Sequence, residues 1–139
     1  MADLTPTTSQ IVPDTTQLDS GVCGEAITAG MTIYKKSDGK IWKAIDTSAA
    51  AAASKGIAVA STFAANQGIS WQKSGTIVMG AAASITAGAV YGVTDTAGGI
   101  SLISERATGD FITIVGVGDA SNGIVMPTGG PFASAIASA

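Results

Sequence analysis

The feature that most restricts how this chain can fold is an internal repeat. Ile27-Thr28-Ala29-Gly30 returns 58 residues later as Ile85-Thr86-Ala87-Gly88. Each copy leads into strand-forming residues, Met31-Thr32-Ile33-Tyr34 in one and Ala89-Val90-Tyr91 in the other. Each then reaches a glycine turn, Asp38-Gly39 or Gly98-Gly99, and a segment opening with Ile41 or Ile100. Gly56-Ile57-Ala58-Val59 is echoed by Gly116-Val117-Gly118, and Asn66-Gln67-Gly68-Ile69 by Ser121-Asn122-Gly123-Ile124. The offset drifts only between 55 and 60 residues. Ordered matches at a nearly constant offset predict two copies of one β-hairpin unit. Each is too small to bury a core alone, so the two are expected to pack face to face.

The local pattern agrees with a mainly β chain. Residues 30–35 alternate and are rich in strand formers, Ser37-Asp38-Gly39-Lys40 is a tight hairpin signal, and 41–45 returns. Further strands are predicted at 56–60, 69–73, 76–79, 90–94, 100–104, 111–117 and 124–126, separated by Asn-, Ser- and Gly-containing turns. Many short strands at close spacing indicate a small barrel- or sandwich-like domain. At most one short helix is expected, at 48–54, where five alanines lie between Asp46-Thr47-Ser48 and Lys55-Gly56. The expected organisation is an extended arm at 1–19, a core at 20–127 with repeats at about 24–80 and 82–127, and a small-residue tail at 128–139.

Composition narrows the chemistry. The 139 residues include no histidine and one cysteine, Cys23. That removes His-based nucleophilic triads, His-ligated zinc and an intramolecular disulfide. Cys23, between Val22 and Gly24, reads as a small buried apolar residue. A formal net charge of −3 argues against nucleic acid as a partner. No run approaches the roughly 20 apolar residues that span a bilayer, and the N-terminus has no apolar signal core, so a soluble protein with no membrane partner is expected. Apolar residues make up 46% against only 12% charged, which hints at surface hidden in an assembly.

Most of the ten carboxylates sit in the arm or in turns, where turn chemistry accounts for them: Asp3, Asp14, Asp19, Asp38, Asp95, Asp110 and Asp119. A hydrolytic carboxylate pair is therefore not the expected use. Gly116-Val117-Gly118-Asp119 lacks the following helix that a phosphate loop needs, and its glycines read as bend or bulge residues. Lys35, Lys36, Lys40 and Lys43 cluster at the first hairpin. They could meet an acidic partner, but a solvated tip that blunts an edge strand is the simpler reading. No catalytic, cofactor-binding or metal-ligating residue is assigned. In the arm, Pro6 and Pro13 hold the path extended, so Leu4, Ile11, Val12 and Leu18 cannot bury one another and are the candidate partner contacts.

The Gly24-Glu25-Ala26-Ile27-Thr28-Ala29-Gly30 opening, the Ile33-Tyr34 strand, Asp38-Gly39-Lys40, the alanine-rich stretch and Gly56-Ile57-Ala58 resemble the head decoration, or capsid cement, proteins of tailed bacteriophages. The resemblance covers about residues 20–127. It implies a small β-barrel-like domain, made in the host cytoplasm and carried on the outer face of the virion head. Such proteins are often trimeric and clip neighbouring major capsid subunits together, commonly through an extended terminal arm. The expected function is thus structural, non-enzymatic and without cofactor. The alternative is a phage fibre or receptor-binding module that grips a host-surface ligand.

Overall fold

Short β-branched and aromatic runs cut by glycine turns leave too few residues for helical turns, and they satisfy their backbone groups by pairing with one another. The structure is a computed structural model that describes residues 3–105 and 109–137. A first sheet is formed by β1 (Leu18–Val22), β2 (Thr32–Lys35), β3 (Ile41–Lys43), β4 (Gly56–Ala58) and β5 (Gly68–Gln72), in the order β1-β5-β4-β2-β3. A second contains β6 (Gly75–Val78), β7 (Val90–Val93), β8 (Ile100–Leu102), β9 (Phe111–Gly118) and β10 (Gly123–Met126), in the order β6-β10-β9-β7-β8. The two orders are the same path, five strands apart. An additional strand, β11 (Phe132–Ala137), pairs with the early part of β9. The one α-helix among the described residues is α1 (Ala49–Ala52), whose first turn is capped by Ser48 accepting from the Ala51 N–H at 3.2 Å.

Duplication extends to the register. Thr32 and Ile33 face Ile57 and Gly56, as Val90 and Tyr91 face Val117 and Gly116. Ile57 and Ala58 face Gln72 and Trp71, as Val117 and Gly118 face Val125 and Ile124. Leu18, Asp19 and Ser20 run along Gln72, Trp71 and Ser70 as Thr76, Ile77 and Val78 run along Val125, Ile124 and Gly123. The repeated turn keeps its bonds as well: the Gly30 N–H donates to Ala58 O at 2.8 Å, and the Gly88 N–H to Gly118 O at 2.9 Å. At one equivalent position both units require glycine. A Cβ on Gly56 would lie 2.0 Å from Gln72 O, and one on Gly116 would lie 2.6 Å from the equivalent Val125 O.

Three expectations change. The unit is a five-stranded sheet, not a hairpin, and the units run from β1 to β5 and from β6 to β10. The first strand of the first unit thus lies partly inside the expected arm, and 76–79 opens the second unit instead of closing the first. Asn66-Gln67-Gly68-Ile69 and Ser121-Asn122-Gly123-Ile124 are not equivalent in register, because Trp71, not Ile69, sits where Ile124 does. The slip is two residues, which leaves the inward face inward.

The buried apolar residues form two clusters, one within the first sheet and one to which both units contribute. Cys23, Ile27, Ile33, Ile41, Ala58, Ile69 and Trp71 form the first. The second is larger, built on Ile77, Met79, Tyr91, Ile100, Val115, Ile124 and Met126, and takes in Ala44 and Ile57 from the first unit. Five strands suffice for this where two would not. Neither sheet closes into a barrel. In the first, one parallel bridge between Cys23 and Ile41 joins the far edges. Residues 44–54 cross from the first unit onto the second: the Asp46 N–H donates to Thr94 O at 2.9 Å, the Phe111 N–H to Asp46 O at 3.0 Å, and Thr113 Oγ1 to Ala52 O.

Candidate interaction surfaces

The arm is applied to its own body. Leu4 N–H donates to Ile100 O at 2.7 Å on β8, and Val12 exchanges backbone bonds of 2.9 and 3.0 Å with Val78 on β6. These are the two edge strands of the second sheet, so the arm touches both. In the first unit the position facing β3 is taken by the chain itself, where the Gly24 N–H donates to Ile41 O at 2.8 Å. The arm therefore supplies for the second sheet what Cys23-Gly24 supplies for the first.

This placement separates the four arm candidates. Leu4 and Ile11 pack against the second core cluster. Leu18 is the half-buried first residue of β1. Only Val12, 59% exposed, keeps most of its side chain free for a partner. The arm is not extended throughout, since 3-10 turns at Thr8–Gln10 and Thr15–Gln17 break it after each proline, and the surface that receives Leu4 and Ile11 belongs to this chain. The 128–139 tail is not merely terminal either, since it supplies β11; residues 138 and 139, like 1 and 2, lie outside the described residues.

A different residue stands out. Phe63 is 87% exposed, on the connection between β4 and β5. That connection has nine residues, 59–67, where the equivalent one in the second unit has four, 119–122. It is nonetheless tied down at many points. Thr62 is buried, its N–H donating to Ile27 O at 2.7 Å and its hydroxyl accepting from the Ile27 N–H at 3.0 Å. Gln67 Oε1 accepts from the N–H groups of Phe63 and Ala64 at 2.7 and 3.3 Å. The buried Cys23 thiol donates to Ala64 O at 3.2 Å, and the Asn66 N–H to Cys23 O at 2.8 Å. A ring this exposed on a loop this constrained is presented to solvent at little further conformational cost. Sequence reasoning missed it, because one Phe among small residues reads equally well as core.

The carboxylates mostly serve turns. Asp119 accepts from the N–H groups of Ser121 and Gly123 at 2.9 and 2.8 Å, and Asp38 from the Lys40 N–H at 2.8 Å. Asp14 accepts from the Thr16 hydroxyl and N–H, which holds its carboxyl below the ordinary value. Asp46 differs. It is completely enclosed, at the crossing between the two units, with the Asp110 carboxyl beside it. Burial first, then Asp110 by its charge and by a side-chain hydrogen bond, and last the charge of Asp95, push its carboxyl up to about 6. Among the described residues no group of three or more His, Cys, Asp or Glu could hold a metal ion, and no helix is long and apolar enough to cross a membrane.

The hairpin lysines also divide. Lys36 Nζ lies 4.4 Å from the centroid of the Trp42 ring, Lys40 Nζ donates to Asn66 Oδ1 at 2.7 Å, and Lys43 Nζ lies 3.6 Å from Glu25 Oε1. Lys35 points elsewhere, into a concavity it lines with Lys55 and Lys73. No protein-family model matches the chain, and no curated protein or solved structure is found to be similar to it.

Proposed function

We propose that this chain is a structural binding protein of a tailed-phage head, attached to the outer capsid surface, where it bridges major capsid subunits. On this reading it acts by contact and not by catalysis, uses no cofactor, and works as a homo-oligomer, the trimer being favoured by the resemblance at residues 24–58. The observation that carries the binding role is Phe63. An aromatic ring held out on a braced loop is the kind of side chain that anchors a protein interface, where a few aromatic and Arg residues account for most of the affinity. The duplicated body supports it, because two interlocked sheets give a rigid platform, and many copies on one shell add avidity to modest single contacts.

Co-sedimentation of the purified chain with expanded, empty heads of its phage tests the proposal. Saturation at a fixed number of copies per capsid subunit is expected. Phe63→Ala should weaken binding at least about tenfold, equivalent to about 1.4 kcal/mol, with circular dichroism unchanged. Failure to sediment with heads at any concentration would sink the capsid role.

A further inference from the structure

We propose that the concavity lined by Lys35, Lys55 and Lys73 is a docking groove for an acidic segment of a partner protein, one that presents two or more carboxylates. This deepens the reading above by giving the chemistry of a second contact, and rests on it only in taking the partner to be a protein.

The groove encloses about 400 Å³, within the range of clefts that hold small ligands or a few peptide residues. It lies at one end of three neighbouring strands. Lys35 ends β2, Lys55 immediately precedes β4, and Lys73 immediately follows β5. The indole of Trp71 and the Gly129-Gly130-Pro131 turn complete its walls, and Asp19 is the one carboxylate on its lining. That carboxylate accepts from the Ser20 N–H at 2.9 Å.

Two observations separate these lysines from ordinary surface charge. The first is partnership. Lys36, Lys40 and Lys43 each engage a group of this chain, whereas the ammonium groups of Lys35, Lys55 and Lys73 meet none among the described residues. The unengaged three are the three that share one concavity. The second is the duplication itself. Carried through the strand pairings, Lys35, Lys55 and Lys73 correspond to Val93, Val115 and Met126. Those three are buried in the second core cluster, where β9 runs on beyond Val115 to pair with β11 and contact α1. The first unit has an open groove there and puts a cation at all three positions. Lysines that merely discourage edge pairing would need neither a shared cavity nor a common sign.

The sign selects the ligand class. Six of the seven cationic residues lie in the first unit, so the groove's field is positive while the whole chain is −3. A long polyanion such as nucleic acid would be repelled by the rest of the surface, and a short acidic segment that enters only the groove would not.

The test titrates the full chain with hexaglutamate, hexaglutamine and inorganic phosphate by calorimetry. Two triple variants with the same loss of charge are compared: K35Q/K55Q/K73Q in the groove and K36Q/K40Q/K43Q on the hairpin, each first checked for an unchanged circular dichroism spectrum. Lys55→Glu alone is a second groove variant, on an exposed side chain. Hexaglutamate should bind with a dissociation constant below about 1 mM. The groove triple should weaken it at least about tenfold and the hairpin triple less than about threefold. Lys55→Glu should weaken it as much as the groove triple does. Equal weakening by both triples would reduce the effect to net charge and overturn the proposal. So would binding of phosphate or hexaglutamine as tight as that of hexaglutamate, or no binding of hexaglutamate at all. Loss of head binding in the parent chain would count against the capsid role and leave this result standing.

Discussion

The two five-stranded units share every strand pairing between β1 and β10, and they are used differently. In the second unit β7, β9 and β10 carry Val93, Val115 and Met126 at the equivalent positions, all buried, and β9 continues past Val115 to pair with β11. In the first, those positions carry Lys35, Lys55 and Lys73 around an open groove, and the β4–β5 connection is longer and presents Phe63. Formal charge follows the same division, +2 over residues 18–73 and −3 over residues 75–126. What is common, the register and the close approach at Gly56 and Gly116, determines the topology. What differs, a few strand-end and loop side chains, is where one copy has been committed to stability and the other left free for a partner.

If the units are true equivalents, damage at matching positions should have matching effects. Gly56→Ala and Gly116→Ala each place a Cβ against a carbonyl oxygen of the neighbouring strand. Each should destabilise by at least about 3 kcal/mol, measured by urea unfolding. A neutral result at either site would break the equivalence. The arm should discriminate between them. Deleting residues 1–12 removes Leu4 and Ile11 from the second core and uncovers both edges of the second sheet. A cost of about 2–3 kcal/mol is expected, with faster amide exchange in β6 and β8 and little change in β2 or β3. Uniform loss of protection across both sheets would show that the arm does not belong to one unit.

Asp46 probes the crossing between the units and should have the smallest effect on stability. Its carboxyl titrates near 6 in the folded chain, against 3.8 unfolded. Below the unfolded value both states hold the proton. As pH rises from about 4 to about 6 the unfolded state releases it first, so stability falls across that window and levels off above it. Asp46→Asn removes the titration. It should stabilise the protein by about 1–2 kcal/mol at pH 8, part of the gain being offset by the buried amide, and change little at pH 4. The same increment at both pH values would mean that Asp46 does not carry the shift.

Nine of the eleven strands were legible in the sequence because alternation and glycine turns marked them. β1 was not, since in Leu18-Asp19-Ser20-Gly21-Val22 the apolar Leu18 and Val22 are separated by three polar or small residues, and β5 pairs with it from far along the chain. β11 was hidden in a tail of small residues. The repeat was legible through Ile-Thr-Ala-Gly, but its limits were not, because they depend on pairing partners far apart in the chain. Among the candidate contacts, Leu4, Ile11, Val12 and Leu18 were identified as apolar groups needing a surface, and no local pattern could show that most of that surface lay in the same molecule. The hairpin lysines formed one cluster in sequence and two in space, since Lys35 faces Lys55 and Lys73 only once β2, β4 and β5 are side by side.

The central claim is that the first unit meets the partner while the second holds the body together. Hydrogen–deuterium exchange of the chain, free and bound to empty heads, tests it most directly. The account predicts new protection at residues 59–67 and around Lys35, Lys55 and Lys73, with the 119–122 turn and the ends of β7 and β10 unchanged. Protection confined to the second unit, with residues 59–67 exchanging as in the free chain, would contradict it.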